Sequence, residues 1–290
     1  MTHASDTSET TDTSDTHMSD GNGFEGHGQE PRQGSGGPGS PNGHARPNGH
    51  ARLNSESLGS ERLNSEHLSP VRLSTEGLPA WLDPVARAAD TVRPTQLSRF
   101  LPPESGAGRQ SAVLVLFGEG THGPELLLME RSGSLRSHAG QPSFPGGSLD
   151  PEDGDPLTDG PLRAALREAE EETGLDPRGV QLFGVLPKLF IPVSDFVVTP
   201  VLGWWRSPSP VGVVDPAETA RVFTVPVSDL TDPGNRATTV HPSGHQGPAF
   251  LVESALVWGF TAGVIDRILH FAGWERPWDR TKQVPLDWRA

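Results

Sequence analysis

The chain has 290 residues, a net charge of −14 and no cysteine. The missing cysteines exclude disulfides, thiolate metal sites and thiol nucleophiles, so any metal must sit on oxygen or imidazole. The charge divides as 5 basic and 11 acidic residues up to Leu78, then 18 and 26 beyond it, which disfavours a grip on a nucleic-acid backbone in both parts.

Residues 1–78 are expected to be a disordered, low-complexity tail. Their only aromatic residue is Phe24, whereas all 7 Trp and the other 10 of 11 Phe lie further on. Such a segment buries too little apolar surface to offset the entropy of ordering it. Asn-Gly-His-Ala-Arg occurs at 42 and at 48, Arg-Leu-Asn-Ser-Glu at 52 and 62, and Arg-Leu-Ser-Thr-Glu at 72. A ten-residue period is too short for a helical solenoid. Six of the 11 His fall here at irregular spacing and are read as solvated. The opening residues lack the apolar run of a signal peptide, and no stretch approaches a membrane span, so a soluble cytoplasmic protein without membrane partners is expected.

Residues 79–290 are read as one folded domain. A short helix around Leu78 to Arg87 would dock through Trp81, Leu82 and Val85. Strands follow at Ser111 to Phe117 and Glu125 to Arg131, joined by a Gly-rich loop from Gly118 to Pro124. The first is a continuous apolar run, as in a strand buried on both faces. Further strands are expected at Val180 to Leu186, Phe196 to Trp205, Arg221 to Val225, Ala237 to His241 and Phe250 to Val252, with a late helix at Ser254 to Phe271. Strands outnumber helices without alternating with them, which favours an α+β fold with a mixed sheet over a doubly wound one.

The helix expected at Pro161 to Thr173 carries the chemistry. Proline suits its start, and Gly174 with Asp176-Pro177 marks its stop. Leu162, Ala165, Leu166, Ala169 and Thr173 fall on one buried stripe. Glu168, Glu171 and Glu172 share another face, where like charges at i, i+3 and i+4 repel. Arg167 can pair with Glu171 but cannot neutralise three carboxylates. A divalent cation can, and hard oxygen ligands suit Mg²⁺ or Mn²⁺. A merely solvated acidic face is the competing reading of the helix alone. Upstream, Phe144-Pro145-Gly146-Gly147 forms a turn whose glycines permit close backbone approach.

Gly147, Asp153 and then Arg167-Glu168-Ala169-Glu170-Glu171-Glu172-Thr173-Gly174-Leu175 resemble the Nudix box. Two departures stand out: Asp153 replaces the usual Glu, and the gap before Arg167 is about six residues longer than the common pattern, the surplus lying in Gly154 to Gly160. An insertion there leaves turn and helix intact, so activity is expected to survive. The segment Arg131-Ser132, Leu135-Arg136, His138, Gly140-Gln141 and Phe144-Pro145-Gly146-Gly147 is similar to the one that marks coenzyme A diphosphatases within this family. Pro142 departs from it. The likeness extends more weakly through Val197 to Trp204 and Trp258 to Ala262.

The resemblance implies a Nudix-type α/β/α sandwich and metal-dependent hydrolysis of the diphosphate of coenzyme A or its thioesters, yielding 4′-phosphopantetheine (or its acyl form) and adenosine 3′,5′-bisphosphate. It implies Glu168, Glu171, Glu172 and the Gly147 carbonyl as holders of Mg²⁺ or Mn²⁺, and Glu171, Glu172 and Arg167 as the catalytic set. Arg131, Arg136, His138 and Gln141 would face the substrate, and planar arginine donors suit its phosphates. The general base stays open among Glu171, Glu172, Asp195, Glu218 and Glu253, and a homodimer stays open too. The rival readings are a Nudix hydrolase for ADP-ribose, NADH or a dinucleotide, and a catalytically silent nucleotide-binding module.

Overall fold

The computed structural model describes residues 71–134, 139–242 and 244–286. The tail up to residue 70 therefore lies outside the described residues, as do Arg136 and His138. In chain order the elements are α1 (Asp83–Thr91), α2 (Pro94–Leu97), β1 (Arg109–Gly120), β2 (Gly123–Arg131), β3 (Pro142–Ser143), β4 (Gly146–Ser148) and α3 (Gly160–Thr173). Then come β5 (Val180–Val185), β6 (Leu189–Ile191), β7 (Phe196–Trp205), β8 (Thr219–Pro226), α4 (Val227–Thr231), β9 (Arg236–Val240), β10 (Gln246–Val252), β11 (Ala255–Val257), α5 (Gly259–Phe271) and β12 (Gln283–Pro285).

The larger sheet runs β3-β2-β1-β7-β5, with β4 also on β1, β6 on β7 and β8 on β2. It is mixed: β1 and β7 lie parallel from Arg109↔Phe196 to Phe117↔Trp204, while β1 meets β2 and β4 antiparallel. The apolar run of β1 explains the layering. Leu114 and Leu116 join Leu127, Ala165 and Ala169 on the face covered by α3. Val115 and Phe117 join Leu126, Leu128, Val85, Ile265 and Ile268 on the face covered by α1 and α5. Side chains alternate along a strand, so two helical layers require apolar residues at odd and even positions alike. A second sheet, β11-β10-β9-β12, packs against α5 through β10.

Three local expectations need correcting. The Gly118 to Pro124 loop is a hairpin: β1 runs to Gly120 and β2 begins at Gly123, which pair in register, leaving Thr121 and His122 as the turn. The late helix starts at Gly259 instead of Ser254. Glu253 and Ser254 adopt positive φ (50° and 59°), folding β10 back onto β11 in a primed-type turn without the usual glycine. The chain is also held against the sheet before Leu78. The Ser74 N–H donates to the Leu182 carbonyl at 2.9 Å, and Gln181 Nε2 donates to the carbonyls of Ser74 and Glu76 at 2.8 and 2.9 Å.

Candidate active site

Between Val113 and Phe117 the neighbour of β1 changes. Its second half pairs with β2 and its first half with β4, so β2 leaves a notch that the Phe144 to Gly147 turn enters. This turn requires its glycines. Gly146 has φ +156°, and a Cβ there would strike the Ala112 carbonyl and come within 2.7 Å of Val113 Cα. A Cβ on Gly147 would collide with the carboxylate of Glu168. Gly146 thus lets the turn lie on β1, and Gly147 lets α3 lay the Glu168 carboxylate directly on backbone.

α3 begins with Pro161 in its first turn and ends at Gly174, whose φ of +70° closes it by a Gly174 N–H bond to the Glu170 carbonyl. The long segment before it folds on itself: Asp155 Oδ1 accepts from Leu157 N at 2.8 Å, and its carbonyl accepts from Gly160 N at 3.0 Å. The insertion therefore leaves turn and helix in place, as expected.

Arg167 organises the acidic residues. A guanidinium has five N–H groups, and all five are used here. Nε meets Asp153 Oδ1 at 3.1 Å; Nη2 meets Asp153 Oδ2 at 2.9 Å and the Ser148 carbonyl at 3.1 Å; Nη1 meets Glu168 Oε1 at 3.1 Å and Glu171 Oε2 at 3.0 Å. The bidentate bond to Asp153 is the main cause that holds this guanidinium above the ordinary arginine range. Asp153 is buried and also accepts from Asp150 N at 2.8 Å. The shorter carboxylate thus reaches the arginine across the inserted loop.

The three glutamates differ in setting. Glu171 is 57% exposed and Glu172 only 9%. Glu172 Oε2 accepts from Gly146 N at 2.8 Å, and its Oε1 lies 3.8 Å from Arg131 Nη1. Burial pushes its carboxyl up to about 7 against the pull of the Gly146 N–H, and the charges of Glu168 and Glu218 push the same way. Burial likewise raises Glu168. Among the described residues no three carboxylate or imidazole side chains converge into a ready ligand set. Each glutamate is turned instead to a protein donor, Arg167 or Gly146, as mutually repelling carboxylates must when protein groups alone neutralise them.

Of the other residues singled out in the sequence, Arg131 sits at the end of β2 beside Glu172, and its N–H donates to the Gln141 carbonyl at 3.2 Å. Asp195 and Glu253 are turn residues at positive φ, with carbonyls taken by Arg109 N and Arg221 Nη1. Glu218 is exposed, and its carbonyl accepts from Ser132 N at 2.8 Å, next to Arg131. Sequence reasoning gave no place to Ser148 or Asp150, which complete the Arg167 clamp. Asp150 Oδ2 is 3.6 Å from Nη2. A carbonyl ligand such as that of Ser148 leaves no trace in side-chain pattern.

A glycine turn laid against an arginine-clamped acidic helix, on a mixed sheet between helical layers, defines a Nudix-type hydrolase. The comparisons agree. The NUDIX domain family matches residues 108–241. The chain is 37% identical over 193 residues to the "Uncharacterized Nudix hydrolase NudL" of Cronobacter sakazakii, covering 66% of this chain and 94% of that protein. It is 38% identical over 160 residues to the NudL of Escherichia coli K12, covering 54% and 79%. This chain belongs to the Nudix family and is a hydrolase of a diphosphate-containing substrate. Among solved structures, the Nudix hydrolase RenU of M. smegmatis aligns at 18% identity and a TM-score of 0.40, covering 62% of this chain and 98% of that one. Family members generally use a divalent cation, typically Mg²⁺ or Mn²⁺. No helix among the described residues is long and apolar enough to cross a membrane.

Proposed function

We propose that this chain hydrolyses the diphosphate bond of coenzyme A or its thioesters, releasing 4′-phosphopantetheine (or its acyl form) and adenosine 3′,5′-bisphosphate. The observation that carries this reading is the placement of Arg131. The arginine of the Arg-Ser pair stands 3.8 Å from Glu172, at the notch where the glycine turn meets α3. Arg136, His138 and Gln141 belong to the same segment and are assigned to the substrate with it.

The donor set fits a hard divalent cation. Glu168, Glu171 and Glu172 offer oxygen only, and the absence of a Cβ at Gly147 brings backbone and the Glu168 carboxylate together. These residues, with the Gly147 carbonyl, would hold Mg²⁺ or Mn²⁺, which when bound neutralises charge on the diphosphate and acidifies a water. Arg167 touches protein groups on all five N–H bonds and acts as a positioning residue, fixing Glu168 and Glu171. Arg131 draws a phosphate oxygen beside Glu172 and stabilises the charge that grows as the bridging P–O bond breaks. Glu218 is exposed and its carbonyl accepts from Ser132 N, next to Arg131, and on that placement it is assigned as the base that takes a proton from the attacking water.

The test is a pair of substrates differing only in the 3′-phosphate. Arg136→Ala should lose roughly ten- to a hundredfold more kcat/KM on coenzyme A than on dephospho-coenzyme A, as expected for one charge-assisted contact. Arg131→Ala should lose about equally on both. Equal losses for Arg136→Ala would remove it from the 3′-phosphate.

A further inference from the structure

Away from Glu168, Glu171 and Glu172, where the start of α3 meets the sheet edge, lies a cavity of about 380 Å³. Ala89 of α1, Leu162 of α3, Val185 at the end of β5, and Pro156 and Leu157 of the inserted loop form its apolar walls. The loop that departs from the common spacing is therefore one wall of this cavity. Leu157 stands 83% exposed.

Lys188 is the charged group on the lining, which also carries Thr158 and Thr199, and it is one of only two lysines in the chain. Its ammonium donates to Gln110 Oε1 at 3.2 Å and to the Pro156 carbonyl at 3.1 Å. An ammonium has three donors, so one remains beyond these two neutral acceptors. Among the described residues no carboxylate lies within 4.0 Å of it, although the chain carries 37 acidic side chains. A half-buried cation with neutral partners only, on the wall of an apolar cavity, matches a ligand with one anionic head and an apolar body.

We infer that this cavity is a second binding site, distinct from the hydrolytic one, for a medium-chain aliphatic carboxylate. The carboxylate head takes the free donor of Lys188, and the chain lies along Ala89, Leu162 and Val185 under Leu157. The volume suits about eight carbons, within the range of small-molecule sites. Pro156 accepts from Lys188 three residues beyond Asp153, so the site borders the loop that clamps Arg167.

Calorimetric titration of the full chain with octanoate and with octan-1-ol tests this. Octanoate should bind with a sub-millimolar Kd and octanol roughly ten- to a hundredfold more weakly, the ratio given by a charge-assisted hydrogen bond. Lys188→Met should abolish that preference. Leu157→Asp, at an exposed position that cannot unfold the domain, should weaken octanoate more than octanol by placing a like charge at the mouth. Equal binding of both ligands by the wild type, no binding of either, or a preference unchanged in both variants would overturn the site. None of these outcomes depends on which diphosphate is hydrolysed.

Discussion

Two clusters of charge are taken out of water in this domain, and they are built differently. On the second sheet, Asp266 of α5 is buried between two guanidiniums: Arg236, fully buried and bonded to it, and Arg267, whose Nε donates at 3.1 Å. Arg236 is further held between the rings of Phe250 and Trp278, each 4.5 Å from its guanidinium carbon. Around α3, by contrast, Asp150, Asp153, Glu168, Glu171 and Glu172 share two guanidiniums, Arg167 and Arg131. In the first cluster the buried carboxylate is fully paired within the protein, one carboxylate between two guanidiniums, although Arg236 Nε has no hydrogen-bond partner there. The second carries surplus negative charge, half out of water, at the place where glycines clear the backbone. A buried charge matched by the fold serves the fold, while one left over marks where something else must bind.

Substitution should separate the two clusters. Arg236→Met leaves Asp266 with one partner and strips the stacking of Phe250 and Trp278. It should cost about 3 to 5 kcal/mol in denaturant unfolding, with turnover per folded molecule unchanged. Loss of turnover ahead of stability would blur the distinction.

Glu172→Gln should do the reverse. Its turnover should fall by about 10²-fold or more, because one anionic ligand is gone. Yet the metal-free domain should gain about 3 kcal/mol at pH 8. Burial raises this carboxyl to about 7, above its ordinary value of 4.5. Its favourable contribution is therefore complete below pH 4.5 and is lost as the pH rises through about 7. The wild type should lose stability from this group between pH 5.5 and pH 8, and the variant should not. Thermal melts in chelator at the two pH values measure this directly, and equal pH dependence of both proteins would contradict it.

Asp153→Asn lies between the clusters in character, since it breaks a matched pair that serves an unmatched site. The expected losses are about 2 kcal/mol of stability and about tenfold in kcat, with Arg167 freed from its fixed position. The smallest effect belongs to the N-terminal strap. Removing residues 1–78 should cost about 1 to 2 kcal/mol more than removing residues 1–70, through loss of the Ser74 and Gln181 hydrogen bonds and of Leu78 packing.

The α3 half of this comparison was readable in the sequence because helical spacing, terminal Pro and Gly and a run of glutamates are side-chain signals. The apolar run of β1 likewise announced a strand covered on both faces. The start of α5 was not readable: Glu253 and Ser254 take positive φ, which no residue preference announces, and the apolar run after them reads as helix. The clamp on Arg167 was half readable. Asp153 stood where an acid was expected, whereas the Ser148 carbonyl has no signature. The opposing buried pair was not readable either, since Arg236 and Asp266 are 30 residues apart and meet only after β10, which pairs with β9, packs on α5.

The central claim, that the surplus carboxylates and Arg131 serve the diphosphate of coenzyme A, is tested most directly by product identification. The full chain would be incubated with Mg²⁺ or Mn²⁺ and, separately, coenzyme A, ADP-ribose, NADH and diadenosine polyphosphates, with products read by mass. The account predicts adenosine 3′,5′-bisphosphate and 4′-phosphopantetheine from coenzyme A at the highest kcat/KM of the panel, and none in chelator. Efficient turnover of ADP-ribose or a dinucleotide beside an untouched coenzyme A would contradict it.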